Sequence, residues 1–206
     1  MMIIISGFYD YHHSRSLQAM KVSEVRQSMV QHMTPLLAQK GLQGASFTEV
    51  LKASGAPRGS LYHHFPGGKD ELVLAAVEAA GNEVVQFLDR LEGQTAETVV
   101  RGFLRLWHNV LTGSDLSAGC AVVAVTVAAD SVALRQSAAV VFSAWRVRLA
   151  GLLVKGGVAE MRAPALAALI VAGAEGAVAL ARAEGSTVPF DLAATELVAM
   201  VRASLG

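Results

Sequence analysis

The chain has 206 residues, 53% of them hydrophobic and 6% aromatic, with 17 Lys+Arg balanced by 17 Asp+Glu and a single cysteine. That length and apolar content give one domain or two small ones with a sizeable core and exclude a disordered chain; the lone Cys120 excludes an intrachain disulfide and fits a reducing cytoplasm. The longest uncharged runs, Leu116–Ala129 and Ala163–Ala174, stop short of the roughly 20 residues that span a bilayer, so a soluble protein with no membrane partner is expected.

In chain order, nearly every periodic segment reads as helix. Residues 1–20 carry an aromatic patch (Phe8, Tyr9, Tyr11) and adjacent His12-His13 without a helical stripe, and read as a disordered N-terminal extension dispensable for folding. Val25, Met29, Met33 and Leu36/Leu37 recur at helical spacing; Gly41 ends that run and Pro35 should kink it. Ser46 and Glu49 form a capping box that opens a short helix to about Ala53. Ser54–Pro57 is a turn, Arg58–Phe65 a second short helix stopped by Pro66-Gly67-Gly68, and a long helix starts at Lys69-Asp70-Glu71. Glycine-rich breaks then leave helices at about 95–112, 118–129, 132–155, 163–184 and 191–204. The fold class is all-α.

Charge is unevenly spread. Residues 1–70 hold seven basic and four acidic side chains, while the remainder holds ten and thirteen, so the N-terminal third is the part suited to a polyanion. Two short helices about a glycine-containing turn form a helix-turn-helix, whose second helix enters the DNA major groove. In that helix Leu61 and Phe65 should pack inward, leaving Arg58, Ser60, Tyr62, His63 and His64 among the exposed donors. Arg58 suits guanine O6/N7, Ser60 a base or phosphate, and Gly59 a close backbone approach.

The stretch Phe47-Thr48-Glu49-Val50-Leu51, Ser54-Gly55-Ala56-Pro57-Arg58-Gly59-Ser60-Leu61-Tyr62-His63-His64-Phe65 and Lys69-Asp70-Glu71-Leu72 resembles the DNA-binding domain of the tetracycline-repressor (TetR/AcrR) family. Gly119-Cys120, the Phe142/Trp145 pair and Glu175-Gly176-Ala177 are similar to its LmrA/YxaF-like subgroup. The resemblance implies a three-helix DNA-binding domain (21–68) followed by a helical ligand-binding and dimerisation domain (69–206), in a homodimeric transcriptional regulator, usually a repressor. It places base-reading positions on Arg58, Gly59, Ser60 and His63, and backbone-contacting positions on Ser46, Thr48, Tyr62, His64 and Lys69. The family normally starts near its first helix, so translation from Met20 is an expectation too.

The resemblance also puts a ligand cavity among the C-terminal helices, to which Trp107, His108, Leu111, Cys120, Val123, Thr126, Val127, Phe142, Trp145, Leu149 and Glu175 could contribute. Those residues favour an apolar, ring-containing effector. Glu175 could neutralise a cationic effector or serve the dimer seam, and Arg146 and Arg148 should face solvent or a partner. Leu166, Ile170, Gly173, Ala177 and Leu180 fall on a 4-3-4-3 seam which, with Leu197 and Val201, makes a dimer face or, alternatively, packs within one subunit. No cofactor, metal site or catalytic group is expected. Adjacent His63-His64 point about 100° apart on a helix, Gly67-Gly68-Lys69-Asp70 lacks the glycine and hydroxyl residue of a phosphate loop, and nothing orients His108 toward Cys120 as a base. A helical small-molecule carrier without DNA binding is the main rival, and an enzyme a weaker one.

Overall fold

In the computed structural model, which describes the backbone of residues 6–57 and 59–205 and the side chains of 23–57 and 59–205, the described chain forms nine α-helices. α1 spans Ser6–Gly44, so the segment read as an extension enters α1 at Ser6 without a break. The sequence holds no proline before Pro35, so nothing in it stops the helix there. The expected kink is displaced: Pro35 keeps helical dihedrals, and the irregular residue is Gly41, with φ 71° and ψ 178°. Only glycine takes that conformation without steric cost, and Gly41 therefore turns the chain toward α2.

α2 (Phe47–Ser54) starts as the capping box requires, with Ser46 Oγ accepting the Glu49 N–H at 3.3 Å, and ends at Gly55 in the left-handed region (φ 67°). α3 is Ser60–His64 and α4 is Lys69–Asp89. The C-terminal part follows as α5 (Ala96–Gly113), α6 (Ala121–Ala128), α7 (Val132–Lys155), α8 (Ala163–Glu184) and α9 (Val188–Arg202), within a few residues of the ranges the breaks imply. Among the described residues the only extended pairing is an isolated bridge between Val158 and Leu205.

One hydrophobic core runs through both parts, from Met29, Met33 and Leu37 in α1 to Phe190 and Val201 in α9. α4 joins the parts, packing on α1 at one end and along α7 at the other. Gly81 makes the second contact possible, because a Cβ there would lie 2.7 Å from Val141. The Trp145 indole N–H seals it, donating to the Gly81 carbonyl at 3.0 Å. Arg148, expected at solvent or a partner, instead bonds Asp89 (2.5 Å) and Glu92 (2.6 Å) of its own chain, because α7 runs alongside the end of α4; Arg146 is exposed.

α7 and α8 are long and apolar enough, by length and composition, to cross a membrane. Here both are packing elements: α7 buries Leu134, Trp145, Leu149 and Leu153, and α8 buries Leu166, Ile170 and Val178. The proposed dimer seam is corrected by the same burial. Leu166, Ile170, Ala177, Leu197 and Val201 are buried between α8, α9 and the rest of the protomer, and Gly173 lies against Leu197. Of the seam, only Leu180 is substantially exposed, at 54%. The β-branched Ile170, Val171 and Val178 of α8 lie inside, where each gains from burial, while Leu169 and Leu180 stay on the outer side with Ala165, Ala172 and Gly176.

Candidate nucleic-acid interface and effector cavity

α2 and α3 stand on α1 through a short list of fixed points. Leu61 on α3 and Phe65 just past its end, four apart, are both buried, as their spacing requires, and each contributes about 1.5–3 kcal/mol to holding the helix in place. The Arg26 guanidinium of α1 covers the Phe65 ring at 4.9 Å, and Lys40 of α1 pairs with Glu49 of α2. The outward face then carries Thr48, Tyr62 (67% exposed) and His63, with the Tyr62 ring edge-on to Phe47 at 6.2 Å. Gly59 is exposed and has open space where a Cβ would be, so its backbone is approachable.

Other assigned positions have local tasks as well. Ser46 caps α2, and Ser60 Oγ donates to the Pro57 carbonyl at 2.6 Å, fixing the start of α3. Lys69 is half-buried and its ammonium donates to the Leu42 carbonyl at 2.6 Å, closing the end of α1. His64 is half-buried; burial first, then His63 and the Arg26 charge, hold its imidazole below the ordinary value. Arg58 lies outside the described residues. Among the described residues no group of three His, Cys, Asp or Glu side chains is arranged to hold a metal ion.

The expected effector residues are distributed over three hollows. A cavity of about 640 Å³ is bounded by α1, α4, α5, α7 and the start of α6, and takes in Trp107, Cys120 and Trp145. Its other walls were not foreseen: Thr34, Pro35 and Ala38 from α1, and Ala80, Val84 and Phe87 from α4. A second cavity of about 460 Å³, between the end of α1, α6 and α8, takes in Cys120, Val123, Val127 and Glu175. His108 is corrected to a third place: it faces α9, 3.6 Å from Asp191 and tilted against Phe190, because the α5 face that carries it packs on α9. Leu111 and Leu149 are fully buried core, and Phe142 packs edge-on against Trp145 at 5.4 Å; none of the three lines these hollows. Thr126 is exposed, its hydroxyl donating back to the Val122 carbonyl. The missed α1 wall, Thr34, Pro35 and Ala38, lies at helical spacing on one side of α1.

Two buried polar atoms lack a hydrogen-bond partner among the described residues: Trp107 Nε1 and Glu175 Oε1. Burial raises the Glu175 carboxyl to about 7, with the adjacent Cys120 thiol offsetting a little. Burial also pushes the Cys120 thiol well up, so it is inert as a nucleophile at neutral pH.

An exposed α2–turn–α3 face on an all-helical body is the arrangement of a helix-turn-helix DNA-binding regulator. Residues 35–76 match the family described as bacterial regulatory proteins of the tetR family, and residues 96–196 match the LmrA/YxaF-like transcriptional regulator C-terminal domain. The chain is 33% identical over 187 residues to the HTH-type transcriptional regulator Rv0196 of Mycobacterium tuberculosis, covering 87% of this chain and 95% of that one. It is 29% identical over 181 residues to YxaF of Bacillus subtilis, covering 86% and 95%. A crystal structure of a TetR regulatory protein from Rhodobacter sphaeroides superposes with a TM-score of 0.74 at 27% identity, covering 84% of this chain and 96% of that one. The chain belongs to the TetR family of transcriptional regulators, with an LmrA/YxaF-like C-terminal domain.

Proposed function

We propose that this regulator is a cytoplasmic homodimeric repressor, released from a palindromic operator by a mostly apolar, ring-containing small molecule. The observation that carries the reading is the composition of the walls of the 640 Å³ cavity. α1 supports α2 and α3, α4 follows α3 directly, and both helices line the same hollow as Trp107 and Trp145. A molecule filling that hollow touches both α1 and α4, so it can act on the elements that carry α2 and α3. It shifts the equilibrium only by its difference in affinity for the two states, and moving a 1:99 ratio to 99:1 takes about 5.5 kcal/mol.

The dimer face is the outer stripe of α8 and α9. Ala165, Leu169, Ala172, Gly176 and Leu180 are exposed at helical spacing on α8, beside exposed Val188 and Leu192 on α9. Small residues there permit close helix approach. Two recognition helices in such a dimer would reach half-sites about 34–36 Å apart. Residues Ser46, Thr48, Arg58, Gly59, Ser60, Tyr62, His63, His64 and Lys69 form the DNA-reading and DNA-positioning set in this reading.

The test is a gel shift on the promoter region beside the gene, with tricyclic compounds and acyl-CoAs as competitors. Val110 borders the 640 Å³ cavity and is only partly buried, so Val110→Trp should fill the hollow, block release and leave operator affinity intact. Release by acyl-CoAs alone, or absence of specific shifting, would sink the proposal.

A further inference from the structure

Around its break at Gly41, α1 is tied to three other parts of the chain within a few residues. Lys40 pairs with Glu49 of α2, and the Lys69 ammonium at the start of α4 donates to the Leu42 carbonyl at 2.6 Å. The third tie comes from the C-terminal part. The Gly119 N–H, in the loop between α5 and α6, donates to the Ala38 carbonyl at 2.9 Å. Ala38 stands in the last turn before the break, where helix carbonyls are open to outside donors. Gly119 is buried and Ala38 half-buried, so water competes poorly for that bond.

The loop that presents Gly119 is held stiffly. Ser114 Oγ accepts the Ala118 N–H at 3.0 Å and donates to the Val110 carbonyl at 2.7 Å, while the Leu116 N–H reaches the Leu111 carbonyl at 2.8 Å. Asp115 and Leu116 take φ of 50° and 60°, left-handed values that such residues keep only where their surroundings impose them. Arg182 reaches this loop from α8. Its guanidinium donates to the Ser117 carbonyl at 2.9 Å and lies over Gly119, where a Cβ would stand 2.8 Å from Nη1. Glycine at 119 is therefore what lets α8 brace the loop.

We propose that Arg182 and Gly119 fix the angle of the α1–α3 head on the helical body, and so determine which half-site separation the regulator accepts. The inference rests on the dimer and palindrome reading above. In a dimer built through α8 and α9, α8 belongs to the fixed body. The path from Arg182 through the loop to Ala38 then runs from that body to the helix carrying α2 and α3, without passing through α4. One base pair moves a half-site by about 3.4 Å along the duplex and about 35° around it. A head held at one angle discriminates between such separations; a head free to rock does not.

The experiment uses a palindrome selected by the wild-type full chain from random duplexes, then remade with its half-sites one base pair closer and one base pair farther apart. Arg182→Met removes the donor, and Gly119→Ala pushes the flexible guanidinium end off the loop. The wild type should prefer the original separation about tenfold more strongly than either variant does, the difference that one charge-assisted hydrogen bond makes. Both changes act on one contact, so the double variant should match either single one, and all three should melt close to the wild type. An unchanged preference in the variants, or an equal loss of affinity at every separation, would overturn the brace while leaving the palindrome standing. Selection of lone half-sites by the wild type would overturn the palindrome reading and the brace with it.

Discussion

The buried carboxyl of Glu175 gives the sharpest quantitative expectation, and it needs no ligand. Its value is raised from 4.5 to about 7 by burial, so between those limits the folded chain holds a proton that the unfolded chain has released. Folding stability therefore falls as pH rises through that window and is level above it. At about 1.4 kcal/mol per unit, the loss is about 3 kcal/mol. Glutamine cannot ionise, so Glu175→Gln lacks the slope. Other carboxyl groups titrate in both proteins and cancel in the difference, and the Cys120 thiol, pushed up by burial, is silent in this range. Thermal melts of both proteins from pH 4 to 8, at one fixed protein concentration, should show the variant gaining on the wild type by about 6–12 °C across the window, at about 2–4 °C per kcal/mol for a chain of this size. Melting curves that stay parallel throughout would refute the claim that this carboxyl is sealed from solvent.

Four further outcomes are expected. Arg58→Ala should cost about 1–3 kcal/mol on the best operator and relax preference at one base pair per half-site, read by binding to single-base operator variants. Lys69→Ala should weaken all sequences alike and lower the melting temperature, because the Lys69 bond to the Leu42 carbonyl is lost; an unchanged melt with a flattened salt slope would make it a phosphate contact alone. Gly156→Ala would place a Cβ 2.3 Å from the Ala96 backbone nitrogen, where backbone rather than a flexible side chain must yield, and should destabilise by the upper end of about 1–3 kcal/mol in denaturant titration. Leu169→Lys, on the outer stripe of α8, should yield a folded monomer by sedimentation and weaken operator binding steeply, whereas an intact dimer would move the interface elsewhere.

Helix identity and most helix ends were legible in the residues, because their causes are local. The hydroxyl of Ser46 meets the Glu49 N–H three residues on, and Gly55 and Gly185 take left-handed dihedrals that other residues avoid. The inward pair Leu61/Phe65 follows from the four-residue spacing for the same reason. Partners across the fold were not legible. α8 is apolar nearly all round, so the seam through Leu166 and Ile170 and the neighbouring stripe through Leu169 and Ala172 satisfy the same period, and only packing against α7 and α9 selects which is interior. The aromatic cavity draws walls from Pro35 and Phe87 to Trp107 and Trp145, which no spacing rule relates because they lie on four different helices. Glu175 shows the division most plainly: its identity is written in the chain, but the burial that raises its carboxyl to about 7 is a property of everything packed around it.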